Sequence, residues 1–283
     1  MEKTSRQTGA EITGRILMKK QDLKYLLEKG FHFAETKGQY EEARLKGPCT
    51  IILYNTGKLV VQGKEKPVRE TKKLLGLPTE KKQEVKKMIG VVVGSDETLK
   101  GDTFGGIIVA GFRADDEERK KLQRLGVEDS KNLTDKNIEK VAESIKNNFS
   151  KDNYHIIELT PKEYNNETIM GNSTLLLNRL HKQVNEKLKT ANSKQVVDKY
   201  PGCRVGDIIE TKAESSYLEV AAASILARQA GIKQFQNLSR QAGFTIPKGS
   251  THVKKALKEL KQSNLDMEDF VKMKFSNVQK IFS

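Results

Sequence analysis

The chain has 283 residues and carries 51 Lys and Arg against 37 Asp and Glu, a formal net charge of +14. That length allows one large domain or two with a sizeable core, and the basic excess favours a polyanionic partner, most plainly nucleic acid. Two cysteines without ligand-like spacing, Cys49 and Cys203, argue against a disulfide framework or a structural zinc site, and no apolar stretch is long enough for a membrane helix or a signal core, so a cytoplasmic protein is expected.

Residues 1–76 read as a small α/β unit. A helical stripe of Leu23, Leu26 and Leu27 over 21–29 ends at Gly30. The run Cys49-Thr50-Ile51-Ile52-Leu53-Tyr54, the turn Asn55-Thr56-Gly57 and the run Leu59-Val60-Val61-Gln62 predict a hairpin. A short helix is expected over 66–75. Residues 77–87 are polar, include Pro78 and read as a linker. Residues 1–86 contain 19 basic and 11 acidic side chains, so about +8 of the charge lies in this smaller part and favours a basic binding module. Tyr54, Lys58 and Gln62 are candidates for its binding face, although the alternation leaves the buried face undecided.

The larger part, 88–283, begins with Val91-Val92-Val93-Gly94-Ser95-Asp96-Glu97, a β-branched run ending in two adjacent acids. Neighbouring strand residues point to opposite faces, so one of the two carboxylates is aimed inward. A divalent cation would compensate it, though a plain strand-end acid pair satisfies the same pattern. A second strand is expected over 103–112. Thr134 reads as the N-cap of a helix with Ile138, Val141, Ala142 and Ile145 at helical spacing. A strand over 155–159 and an amphipathic helix over 175–188, carrying His181, follow. The brief strand Gln195-Val196-Val197 then ends in Asp198, repeating the pattern at Asp96. Such alternation argues an α/β domain with its site at strand ends.

Glu214 lies just before a long helix expected over 217–241, where helix dipole and free amides favour an ionised carboxylate. Taken alone it reads as a cap residue. Ser216 with Glu219 has the spacing of a capping box, and Val220-Ala221-Ala222-Ala223-Ser224 is small enough to let the helix press on a sheet. Asp96, Glu97, Asp198 and Glu214 thus all fall where one edge could collect them, and four such carboxylates would repel unless cations neutralise them. Hard oxygen ligands select magnesium or manganese, which in pairs serve phosphodiester hydrolysis.

At this point the chain resembles the type 2 ribonucleases H, and within them ribonuclease HIII. The resemblance rests on Gly94-Ser95-Asp96-Glu97, Gly101-Asp102-Thr103-Phe104-Gly105, Asp129-Ser130-Lys131-Asn132-Leu133-Thr134-Asp135, Val196-Val197-Asp198 and the block from Lys212-Ala213-Glu214-Ser215 to Ala227-Arg228. It continues through Pro247-Lys248-Gly249 and Phe275-Ser276-Asn277-Val278. It implies an α/β fold: a ribonuclease H-like catalytic domain, its mixed sheet flanked by helices, preceded by a small TATA-binding-protein-like α/β domain. It further implies endonucleolytic cleavage of the RNA strand of RNA/DNA hybrids by two Mg²⁺ or Mn²⁺ ions, leaving 5′-phosphate and 3′-hydroxyl ends. Asp96, Glu97, Asp198 and Glu214 would be the catalytic metal ligands, with Asp96 bridging the ions. A monomer with no obligate protein partner is the default expectation. A non-catalytic nucleic-acid binder on the same scaffold is the alternative.

The resemblance also implies that backbone at the turn after Glu97 contacts the ribose 2′-hydroxyl. Here the chain departs from the family. Leu99 stands where a glycine is usual, which is expected to alter or block that backbone geometry, and Gly106 replaces a proline. Lys100 and Gly101 remain candidates for substrate contact. Ser130 and Lys131 read either as phosphate contacts or as a helix-entry turn, and Lys212 either as a partner of Glu214 or substrate or as a solvated lysine. His181 reads as a packing or phosphate-contact residue before it reads as a general base. Residues 247–250 read as a turn before a phosphate site.

Overall fold

A computed structural model describes residues 9–11, 19–77, 85–127 and 133–282. The chain divides into two compact units, Met1–Lys82 and Gln83–Ser283. Most of the expected linker, residues 78–84, lies outside the described residues.

In the first unit the leucine stripe forms a 3₁₀ helix, Lys20–Lys29, where an α-helix was expected. Gly30 ends it in the left-handed region at φ 81°, its N–H donating to the carbonyls of Leu26 and Leu27. Strands β1 (Gly9–Glu11), β2 (His32–Ala34), β3 (Glu41–Lys46), β4 (Thr50–Tyr54) and β5 (Leu59–Gln62) form one antiparallel sheet in the order β1-β5-β4-β3-β2. The expected hairpin is β4–β5, closed by Gly57 N–H donating to Tyr54 O at 2.8 Å. Alternation sends Ala43, Leu45, Ile51, Leu53, Leu59 and Val61 into one core with Leu23 and Leu26. Helix α1 (Glu65–Leu74) adds Val68 to the same core. By the same period of two, Tyr54 and Gln62 lie on the opposite face, with Arg44, Ile52 and Val60.

The second unit is built on a five-stranded mixed sheet. Strands β6 (Val92–Thr98), β7 (Ile107–Ala114), β8 (Tyr154–Leu159), β9 (Lys194–Asp198) and β10 (Ile208–Glu210) take the order β10-β9-β6-β7-β8. Strands β6, β7 and β8 are antiparallel neighbours, while β9 runs parallel to β6 and β10 parallel to β9. Helices α2 (Asp116–Arg124), α3 (Asp135–Asn148), α4 (Pro161–Thr168), α5 (Ser173–Leu188), α6 (Leu218–Ala242), α7 (Lys254–Gln262) and α8 (Ser276–Phe282) surround it. Val93, Ile107, Val109 and Val197 face α5; Ile108, Ala110 and Phe112 face α3 and α6. No helix among the described residues is long and apolar enough to cross a membrane.

Two features set the position of α6. Gly94 lets it press on β6, since a Cβ there would sit 2.3 Å from the backbone nitrogen of Val220. Arg119 of α2, itself buried, donates from Nη1 to Glu219 Oε1 at 2.7 Å and from Nη2 to Gly90 O at 2.7 Å. Glu219 therefore does not complete the expected capping box with Ser216. Its carboxylate is fully buried and pairs with the Arg119 guanidinium of another helix, which partly offsets the cost of that burial. The α6 N-cap residue is Tyr217, with no side-chain cap bond. Strand β7 also starts later than expected, at Ile107, because residues 103–106 are spent on a turn beside the C-terminal segment.

Candidate active site

Parallel pairing of β6 with β9 sets Ser95 opposite Val197, so the acids that follow, Asp96 and Asp198, fall side by side at the ends of adjacent strands. The period of two divides Asp96 from Glu97. Asp96 turns toward α6 and is buried, accepting from the Ser224 hydroxyl and from the Glu97 N–H at 2.8 Å. Glu97 turns toward α5, where its Oε2 lies 3.3 Å from His181 Nε2 and its Oε1 accepts from Lys100 Nζ at 3.1 Å. An ionised carboxylate only accepts, so Nε2 is the donor of that pair, while Nδ1 lies 2.9 Å from Ser95 Oγ. The ring stacks on Tyr200 with centroids 5.2 Å apart, and Lys100 Nζ sits 4.7 Å from the same Tyr200 ring.

His181 is fully buried. It packs and orients Glu97, and its burial removes it from phosphate contact and from the role of an exposed base. Glu214 arrives on a short 3₁₀ turn, Ala213–Ser215, not on α6 itself. That turn is tied to the strand end by Ala213 N–H, which donates to Asp198 Oδ1 at 2.7 Å.

The electrostatics follow from this crowding. Burial, then the charges of Glu97 and Asp198, push the Asp96 carboxyl well above the usual carboxylate range. Burial and the neighbouring Glu214 push Asp198 up to about 6. Burial alone would raise Glu97 as well, but the His181 ring and the Lys100 ammonium outweigh it and hold that carboxyl below its ordinary value. Two acids raised by burial and by neighbouring carboxylates are hard oxygen donors and fit a divalent cation in their chemistry. Among the described residues no group of three or more His, Cys, Asp or Glu is arranged to hold an ion.

The turn after the acids holds the two departures from the family pattern. Leu99 takes the left-handed conformation with φ 66°, so a leucine adopts the backbone that glycine favours, at a cost of about 1–2 kcal/mol. Its side chain is buried against Gly105 and Gly231, which offsets that strain. The left-handed backbone that a glycine favours is therefore adopted at this position by a leucine. Gly106 serves a different purpose from a proline: its N–H donates to Gln234 Oε1 at 2.8 Å, and a Cβ there would lie 2.0 Å from Leu159 O. Gly101 is exposed, and Lys100 is engaged with Glu97 and Tyr200. Gly249, in the expected 247–250 turn, donates to Asp102 Oδ1 at 2.5 Å and accepts from Thr103 N–H at 3.0 Å, so that turn clamps the acid-proximal one. Lys212 is left-handed at φ 60°, and its carbonyl accepts from Ser215 N–H at 3.0 Å. Ser130 and Lys131 lie outside the described residues.

Ser95, Ser224 and Tyr200 touch the site without having been singled out in the sequence. The alternation of β6 places Ser95 on the face of Glu97, a signal that was legible. Ser224 and Tyr200 come from other elements and carry no local signal.

A mixed five-stranded sheet, helices on both faces and acids gathered at its central strand ends define a ribonuclease H-like nuclease domain. A profile of the family described as Ribonuclease HII matches residues 93–278. The chain is 32% identical over 266 residues to Ribonuclease HIII of Bacillus subtilis (strain 168), covering 82% of this chain and 84% of the relative. It is 33% identical over 261 residues to Ribonuclease HIII of Aquifex aeolicus (strain VF5), covering 89% and 93%. A crystal structure of Bst-RNase HIII in complex with Mn²⁺ superimposes with a TM-score of 0.59 at 25% identity, covering 94% of this chain and 97% of that one. The chain belongs to the type 2 ribonuclease H family, on its ribonuclease HIII branch, and is a ribonuclease.

Proposed function

We propose that the protein cleaves the RNA strand of RNA/DNA hybrids endonucleolytically, with Asp96, Glu97, Asp198 and Glu214 as the residues that would hold two Mg²⁺ or Mn²⁺ ions. The observation that carries the proposal is the crowding of Asp96: a buried carboxyl whose pKa is raised by both Glu97 and Asp198 gains most from a cation. Divalent cations held there would supply a water nucleophile at neutral pH and charge stabilisation at the leaving 3′ oxygen, the chemistry that leaves 5′-phosphate and 3′-hydroxyl ends. The chain's own residues prepare that chemistry. His181 and Lys100 keep Glu97 ionised, Ser224 fixes the Asp96 carboxylate, and Ala213 N–H fixes Asp198.

Substrate contacts are assigned to Lys100 and Gly101 at the turn after the acids, to Ser130 and Lys131, and to Lys212 beside Glu214. Ribose recognition is assigned to the backbone of the 99–105 turn, whose left-handed Leu99 and exposed Gly101 permit close approach. The basic N-terminal unit, a sheet with helices on one face, is assigned to hybrid binding as a TATA-binding-protein-like module. We assign the protein to the cytoplasm as a monomer.

The test is cleavage of a strand-labelled RNA/DNA hybrid with Mg²⁺ and then Mn²⁺, comparing the wild type with Asp96→Asn. The expected result is metal-dependent cutting of the RNA strand alone and a loss of at least about a hundredfold in the variant, the scale of a lost transition-state electrostatic contact. If both proteins bind the hybrid and neither cuts it, the chain is a nucleic-acid binder on a nuclease scaffold.

A further inference from the structure

Lys272 is the least expected residue near the site. It has no exposed surface, although lysine is among the residues least often buried without a charged partner. Its main chain runs beside the acid-proximal turn: Lys272 N–H donates to Thr103 O at 3.0 Å, Gly105 N–H donates to Phe270 O at 2.9 Å, and Phe104 bridges to Val271. Its side chain then enters that turn. Nζ donates to Leu99 O at 2.9 Å, to Asp102 O at 2.6 Å and to Gly105 O at 2.9 Å. The rings of Tyr164 and Phe275 stand 5.3 and 5.4 Å from Nζ.

Three carbonyls on one nitrogen match the three N–H bonds of an ammonium, whereas a neutral amine has only two to give. Burial opposes the charge and pulls this lysine down to about 7, with Asp102 acting in the other direction. Holding an ammonium there is costly, and a methionine of similar length would fill the space without that cost. What the methionine could not do is gather the three carbonyls.

Resting on the reading that the 99–105 turn recognises ribose, we infer that Lys272 is the positioning residue for substrate discrimination: its ammonium draws the carbonyls of Leu99, Asp102 and Gly105 inward and so presents the outer backbone of the turn to the RNA strand. The left-handed φ of Leu99 fits this role, since Lys272 binds the carbonyl of the strained residue itself. Asn277 braces the same turn from outside, donating to Thr103 Oγ1 at 2.6 Å and to Ser250 O at 2.9 Å.

The test measures binding of full-length protein to an RNA/DNA hybrid and to the DNA duplex of the same sequence, in EDTA so that no cleavage occurs. Lys272→Met is expected to lower the ratio of hybrid to DNA affinity by about tenfold while DNA affinity changes by less than about twofold, as loss of a preorganised contact predicts. If Lys272→Met does not unfold cooperatively, Asn277→Ala takes its place, with an expected fall in the ratio of about threefold. A purely structural lysine would leave the ratio unchanged or weaken both duplexes equally, and either result overturns the inference. A wild-type chain that binds both duplexes alike overturns the hybrid reading and this inference with it.

Discussion

His181 Nε2 sits 3.3 Å from Glu97 Oε2, inside the protein, with Ser95 on the opposite ring nitrogen. An imidazole fixed at both ends orients the carboxylate and keeps it ionised. Because the folded pKa of Glu97 is lowered, its stabilising contribution is present above the ordinary carboxylate value and is lost as the pH falls through the lowered one. His181→Ala removes the main opposing influence on Glu97, so the acid limb of the pH–cleavage profile is expected to move to higher pH, with a loss of about 10-fold to 100-fold in metal affinity or activity. A profile superimposable on the wild type would show that Glu97 does not depend on this bond.

Asp198 behaves in the opposite sense. Its folded pKa is raised to about 6, so its ionisation costs stability fully above that pH and not at all below the unfolded carboxylate range. In metal-free buffer at pH 7.5, Asp198→Asn is therefore expected to be the more stable protein. The gain is on the order of 1 kcal/mol after discounting for partial exposure, seen as a rise in Tm of about 2–4 °C. Magnesium should stabilise the wild type more at pH 7.5 than at pH 5, and the variant little at either. Thermal melts at the two pH values decide this.

Leu99 joins an unfavourable backbone to a buried side chain. Restoring glycine relieves about 1–2 kcal/mol of left-handed strain but forfeits the burial of a leucine, whose truncation costs about 2–5 kcal/mol. Leu99→Gly is expected to lower stability by a net of about 1–3 kcal/mol, read from the urea midpoint. A stabilised variant would mean that strain, not packing, dominates this position.

Arg119 and Glu219 are both buried at 2.7 Å, and Glu219 opens the helix that brings Ser224 to Asp96. Arg119→Met strands the carboxylate and is expected to cost about 3–5 kcal/mol. Adding Glu219→Gln should recover part of that loss, because an uncharged amide is less costly to bury. A double variant no better than the single one would place the loss in the bonds of Arg119 to the Met88 and Gly90 carbonyls.

Local pattern determined much of this protein. The β-branched runs ending at Asp96 and Asp198, the hairpin at 50–62, the helix behind Thr134 and the small-residue face of α6 are written in period and composition, because burial of apolar residues at spacings of 2 or 3.6 leaves that trace in any chain. The motifs around the four acids identified the family for the same reason: they are contiguous. Tertiary structure decided what depends on residues far apart in the chain. Glu219 looked like a cap and is the partner of Arg119, 100 residues away. His181 was ambiguous until the sheet placed Ser95 and Glu97 around it. Lys272 lies 173 residues from the Leu99 carbonyl that it binds. Desolvation and charge pairing act through space, so a buried lysine, histidine or glutamate shows its role only when the folded chain supplies the groups that compensate it.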